Sequence, residues 1–135
     1  MDGCAGMGGI GIEAISRGAA FVYFVDQSRK ACQIIRENLK WLEVEEGFKI
    51  LEMDLTKALN VVTVPFNIAF VDPPYDRAEL YEATLSRFGT RPLLAPDGLL
   101  IIEHSKRSEL PESSGSLRKI RSLVQGDAAL AFYRP

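Results

Sequence analysis

Two stretches of this chain combine residue types that chemistry needs. The first, DGCAGMGGIGIEA at 2–14, holds Gly6, Gly8 and Gly11 in a G-x-G-x-x-G spacing. Glycines let a chain turn tightly between a strand and a helix and let its backbone approach a ligand closely. Asp26 stands 18 residues beyond Gly8, where an acid can take the hydroxyls of a bound ribose. The pattern suits two adenosine-bearing cofactors equally, a nicotinamide dinucleotide and S-adenosylmethionine (SAM). Both offer a ribose, and they differ in what lies over the loop. A tight turn without any ligand uses the same residues.

The second stretch is Asp72-Pro73-Pro74-Tyr75, directly after the apolar run NIAFV. A strand-to-helix loop can be built in many ways, so folding alone does not call for two prolines here. An exocyclic amine on a nucleobase is a poor nucleophile, because its lone pair is delocalised into the ring. Two fixed acceptors that take both N–H hydrogens would aim that lone pair at a carbon. The Asp72 carboxylate and a rigid backbone carbonyl, that of Pro73, could be such a pair, since prolines fix the backbone and remove competing donors. Tyr75 offers a flat face for a base, a contact worth about 1–3 kcal/mol in comparable sites. The plain alternative is a rigid turn with a half-buried tyrosine. Methyl transfer to an amine needs a methyl donor, which SAM is and a nicotinamide dinucleotide is not, so this motif favours SAM.

The elements that would position these residues alternate along the chain. Apolar runs at 21–26, 48–54, 67–72 and 98–104 read as strands, and helical spacing appears at 28–42 and 77–88. LRKIRSLV and ALAFYR flank the turn QGD at 125–127, which reads as a terminal hairpin. FVYFVD and NIAFVD have no polar face and should be buried on both sides. Alternation with helices then predicts a mostly parallel twisted sheet flanked by helices, an α/β fold. Ligands in such folds bind beyond the carboxyl ends of the strands. Asp26, Asp54, Asp72 and Glu103-His104 all fall there. Trp41, at the end of the helix at 28–42, is expected to pack at the core or its rim. SKRSELPESSGS, 105–116, reads as a surface loop.

Bulk properties narrow the class. The 135 residues suit one domain spanning 1–135, and the net charge of −2 gives no overall basic field. A nucleic-acid partner would need a local patch, for which Lys106, Arg107, Arg118, Lys119 and Arg121 are candidates. Cys4 and Cys32 make no disulfide framework, and a cytoplasmic location is expected. No apolar run approaches the ~18 residues of a membrane span, and no leader pattern opens the chain. Cys4 has no base near it in sequence and does not read as a nucleophile. His104, the lone histidine, reads as structural or as part of the substrate edge. No metal is implied.

Taken together, the glycine loop, the acids after successive strands and Asp-Pro-Pro-Tyr resemble class I SAM-dependent methyltransferases acting on exocyclic amines. A longer similarity points to one branch. MDGCAGMGGIGIEAISRGA, Ile101-Ile102-Glu103-His104-Ser105 and Gly126-Asp127-Ala128-Ala129-Leu130-Ala131-Phe132-Tyr133 are similar to the RsmD-type small-subunit ribosomal RNA guanine-N2 methyltransferases. The resemblance covers essentially the whole chain, and its final segment is the most discriminating. It implies a Rossmann-like fold whose terminal hairpin is antiparallel. It places Asp2, Ala5, Gly6, Gly8 and Gly11 at the methionine end of SAM, Asp26 at the ribose, and Asp54 and Leu55 at the adenine. Asp72, Pro73, Pro74 and Tyr75 would orient the guanine for direct in-line transfer. The implied partner is ribosomal RNA or the small ribosomal subunit.

Cys4 and Gly3 depart from that family's large apolar residues. The resemblance also implies about forty further N-terminal residues in other members, so the first strand is expected to be largely missing and the chain N-terminally truncated. A free strand edge there would be a route to dimers. Other readings are a DNA adenine-N6 methyltransferase, for which no target-recognition region is visible, and an inactive methyltransferase-like fragment. A protein-glutamine methyltransferase, which usually carries Asn in place of Asp72, ranks lower.

Overall fold

The computed structural model describes residues 1–135. Strands and helices alternate as β1 (Asp2–Gly3), α1 (Gly9–Ser16), β2 (Val22–Asp26), α2 (Arg29–Trp41), β3 (Phe48–Glu52), α3 (Leu55–Val61), β4 (Phe66–Val71), α4 (Ala78–Thr90) and β5 (Leu94–Ser105). Three further strands follow, β6 (Ser113–Ser114), β7 (Leu117–Gln125) and β8 (Ala128–Arg134). All eight form one sheet in the order β3-β2-β1-β4-β5-β8-β7-β6. The pairs from β3 to β5 are parallel and the rest antiparallel. The expected parallel sheet and its antiparallel terminal hairpin are therefore both present. Gly126, at φ +63°, makes the hairpin turn.

Local chemistry accounts for the helix starts. The Ser28 hydroxyl accepts the Ala31 N–H at 3.2 Å and caps α2. Asp54 caps α3 in the same way, through the Thr56 N–H at 2.9 Å. The expectations from sequence did not include α3, although an acid cap followed by Leu55, Ala58 and Leu59 at helical spacing announces it.

Side-chain alternation along β2 divides the core. Val25 faces a large cluster built from α3, α4, β4 and β5, with Leu59, Tyr81, Leu85, Phe88, Leu100 and Ile102. Val22 and Phe24 face a small cluster with Ile35 and Leu39 of α2. The sheet is thus covered by α3 and α4 on one side and by α1 and α2 on the other.

Two expectations fail. Phe21 is 51% exposed and Ile68 is 58% exposed, so the apolar runs containing β2 and β4 are not buried throughout. The cause is the shortness of β1, which pairs only with Phe24 and Val25 on one side and Phe70 and Val71 on the other. Below it an apolar groove of about 400 Å³ opens between β2 and β4. Trp41 is 83% exposed rather than packed. It lies two residues past Leu39, about 200° around the helix, which points it away from the face that Ile35 and Leu39 bury. Of 105–116, Ser105 belongs to β5 and Ser113–Ser114 forms β6, with turn and irregular chain between.

Candidate active site

The strand order reverses between β1 and β4, and the crevice that such a reversal opens lies at the carboxyl ends of the strands. Cys4, Val25, Asp26, Asp54, Leu55 and Pro74 line a cleft there with an enclosed volume of about 90 Å³, open to solvent above. The fold therefore brings the start of the glycine loop, two of the strand-end acids and the Pro-Pro turn to one place, with Asp72 close enough to act on Cys4.

The loop glycines divide into two groups. Gly11 lies behind the loop: a Cβ there would fall 2.2 Å from the Phe24 ring, so only glycine lets α1 pack this close to β2. Asp2 is also behind the loop, 3% exposed, and its Oδ2 accepts the Gly11 N–H at 2.8 Å. Burial pushes its carboxyl up to about 6, and the Gly11 N–H pulls the other way. Gly6 lies in front, at φ +56° with open space where a side chain would stand. Its N–H donates to Asp26 Oδ2 at 2.9 Å, and Asp26 Oδ1 accepts the Ser28 N–H at 2.8 Å. Ala5 donates its N–H to the Val25 carbonyl at 2.9 Å, which ties the loop to β2. Gly8 ends the loop at φ +83° and caps α1.

Asp54 accepts both the Thr56 N–H and the Thr56 hydroxyl, and these bonds hold its carboxyl below the ordinary range. Leu55 is 4% exposed and belongs both to the main core and to the cleft wall.

Asp72 follows β4 directly and donates its N–H to the Gly3 carbonyl at 3.1 Å. Its carboxylate receives no hydrogen bond from the chain; burial and the neighbouring Glu103 push its carboxyl up to about 6. Pro73 is buried, and its carbonyl accepts the Tyr81 hydroxyl at 3.2 Å. Pro74 and Tyr75 are exposed. The Tyr75 hydroxyl donates to Glu103 Oε1 at 3.3 Å. Tyr81 lies within the helical spacing at 77–88, on the same side as Ala78, Leu85 and Phe88, and spacing alone gives it no role beyond packing. A tyrosine within a buried stripe carries a hydroxyl that needs a partner, and that was the available signal.

Cys4 lines the cleft without being a nucleophile, and His104 and the basic candidates lie outside it. Burial, with Asp26, Asp72, Asp54 and Asp2 around it, pushes the Cys4 thiol up to about 12, so it carries no thiolate at neutral pH. His104 is 7% exposed on the opposite side of β5 from Glu103, with Nδ1 2.9 Å from the Ser105 carbonyl. Among the basic residues, Lys106 pairs with Asp127 and Lys119 with Glu112. The Arg118 guanidinium donates to the Gly115 and Leu117 carbonyls, and Arg121 lies over the Phe132 ring.

This sheet order, with its acid-lined carboxyl edge, is the Rossmann-like architecture of methyltransferases, and solved structures bear that out. A Streptococcus pyogenes protein described as conserved hypothetical superposes with a TM-score of 0.87 at 29% identity, over 96% of this chain and 80% of that one. An Escherichia coli protein, yhhF, provisionally titled a methyltransferase, superposes with a TM-score of 0.84 at 29% identity, over 96% of this chain and 72% of that one. The chain belongs to the family described as conserved hypothetical protein 95, which matches residues 1–134. It is 36% identical to the Bacillus subtilis protein YlbH, provisionally named an rRNA methyltransferase, over 99% of this chain and 74% of that protein. It is 30% identical to ribosomal RNA small subunit methyltransferase D of Escherichia coli K12, over 99% of this chain and 67% of that protein. The chain is a methyltransferase by homology and by fold.

Proposed function

We propose that this enzyme transfers a methyl group from SAM to the exocyclic N2 amine of a guanine in small-subunit ribosomal RNA. The observation that carries the reading is the acceptor pair at the end of β4: an unbonded Asp72 carboxylate beside a Pro73 carbonyl held by Tyr81. The names of the relatives in Bacillus subtilis and Escherichia coli support RNA as the substrate.

The cleft fits SAM. Gly6 leaves room over the loop, the Asp26 and Asp54 carboxylates stand at the cleft wall, and Val25 and Leu55 supply apolar surface. Asp26 would accept the ribose hydroxyls with the lone pairs left over from Gly6 and Ser28. Asp54 would face the adenine amine and Leu55 its ring. Ala5, Gly6 and Gly8 would border the methionine end, with Asp2 and Gly11 holding the loop from behind. SAM, when bound, supplies an electrophilic methyl carbon.

The chain's own work is positioning. Asp72 and the Pro73 carbonyl each accept one N–H of the guanine amine, which turns its lone pair toward that carbon. The Tyr81 hydroxyl occupies one side of the Pro73 carbonyl and leaves the other for the amine. The exposed Tyr75 ring stacks on the base, and the extra proton leaves to solvent after transfer. A preorganised pair of this kind stabilises charge where it develops and needs no reorganisation during the step.

Calorimetric titration with S-adenosylhomocysteine, with NAD as control, tests the cofactor. Labelled SAM with small ribosomal subunits, followed by nucleoside mass spectrometry, tests the substrate. Micromolar cofactor binding and label in N2-methylguanosine are expected. Label in N6-methyladenosine, or a folded chain that binds no cofactor, would overturn the reading.

A further inference from the structure

We propose that Glu103 is the base-selecting residue of this site: its carboxylate accepts the N1–H of guanine, next to the amine held by Asp72, and turns away bases that carry a lone pair there. The inference rests on the methyl-transfer reading above and deepens it.

Three observations place Glu103. The parallel register pairs Val71 with Ile102, so the next residues, Asp72 and Glu103, lie side by side at the carboxyl edge and share a face. The Tyr75 hydroxyl reaches Glu103 Oε1 at 3.3 Å, which ties Glu103 to the ring proposed to stack on the base. No cation serves either acid. The five ion pairs join Arg17 to Glu13, Arg36 to Glu52, Arg77 to Glu79, Lys106 to Asp127 and Lys119 to Glu112. Two adjacent carboxylates, with one tyrosine hydroxyl bonded to Glu103 and none to Asp72, form a site rich in acceptors and short of donors. Like charges at this spacing repel, and a ligand bringing adjacent N–H donors relieves that.

Base chemistry then discriminates. In adenine and cytosine the exocyclic amine sits beside a ring nitrogen with a lone pair. In guanine it sits beside N1–H. Only guanine therefore presents two neighbouring donor positions to Asp72 and Glu103. Adenine in the same pose would aim a lone pair at a carboxylate and leave a half-buried charge unpaired, the kind of mismatch that polar sites reject most strongly. A carboxylate on N1–H also feeds electron density into the ring and its amine, which favours attack on the methyl group.

The test first maps the methylated guanine in ribosomal RNA. A short RNA containing that site is then made with guanine, 2-aminopurine or adenine at the target. The base 2-aminopurine keeps the amine but has a lone pair at N1. With wild-type enzyme, transfer to 2-aminopurine should fall about 30-fold below guanine, the loss of one charge-assisted hydrogen bond. Glu103→Gln should lose less on guanine, because its amide oxygen still accepts N1–H without charge assistance, and should recover on 2-aminopurine, because its amide can donate to N1. Glu103→Ala should be slow on both. Unchanged S-adenosylhomocysteine affinity in both variants shows that they are folded. Equal wild-type rates on guanine and 2-aminopurine would overturn the role of Glu103 and leave the guanine-N2 reading standing. A wild-type chain that labels no RNA would overturn both.

Discussion

The two walls of the crevice carry the same residue type in opposite conditions. On one wall, Asp26 receives the Gly6 and Ser28 N–H groups, and Asp54 receives two donors from Thr56. On the other, Asp72 receives nothing from the chain and Glu103 only the Tyr75 hydroxyl. Bonded carboxylates are held in place and give shape to loops; Asp26 joins the glycine loop to the start of α2, and Asp54 starts α3. Unbonded carboxylates keep their lone pairs and carry the cost of partial burial, which a ligand's donors can offset. On the proposed reading, the bonded wall is a cofactor seat that persists without ligand, and the bare wall is a substrate seat that becomes satisfied only when the base arrives.

The comparison breaks first at Asp72. Asp72→Ala should lower the rate of methyl transfer by about 10³-fold, the scale seen when one preorganised polar group is lost from a reacting centre. Its affinity for S-adenosylhomocysteine should stay within a few-fold of wild type in calorimetry, because the bonded wall is untouched. Asp26→Ala should do the reverse. Affinity should fall about 30-fold, for lost charge-assisted bonds to ribose and a loosened glycine loop, while transfer at saturating SAM stays close to wild type.

Tyr81→Phe sharpens the bare wall. It removes only the hydroxyl that holds the Pro73 carbonyl. A drop of about tenfold in kcat, with KM for RNA and SAM unchanged, is the outcome expected for one neutral hydrogen bond acting through position. Thermal melting of this variant should shift little compared with the change in kcat.

The smallest effect is on stability against pH. The Asp72 carboxyl rises from an ordinary 3.8 to about 6 on folding. Between those values the folded chain keeps a proton that the unfolded chain has released, so stability falls as pH climbs from about 4 to about 6. Asp2, also raised to about 6, adds to the same fall. Asp72→Asn should flatten part of that slope in denaturant titrations and leave the share due to Asp2. In wild type, the transfer rate should rise through about pH 6 as the Asp72 carboxylate forms.

Much of this was legible from local signals. Glycine spacing, an acid after each apolar run and the Pro-Pro turn marked the residues that the fold gathers at the carboxyl edge of the sheet, since each element end is set by nearby sequence. What failed involved neighbours distant in the chain. NIAFV reads as buried on both faces, yet Ile68 is exposed because β1 extends for only two residues beside it. Trp41 reads as a packing residue, yet the face it occupies depends on where α2 meets the sheet. Of the five basic residues read as one patch, pairing within the chain engages Lys106 and Lys119 and leaves the three arginines without an ion pair.

The sequence by itself determined the alternation of strands and helices, the parallel sheet with its closing hairpin, and the identity of the acids at the strand ends. These follow from periodicity and turn chemistry, which act over a few residues. The Asp54 cap and the Asp26–Ser28 bond are local, but only the tertiary structure decided that Asp26 also receives the Gly6 N–H while Asp72 receives none, because that depends on partners brought together by sheet order and register. Gly6 meets Asp26 across the loop, Tyr81 meets Pro73 across a turn of chain, and Glu103 meets Tyr75 across two strands' connections.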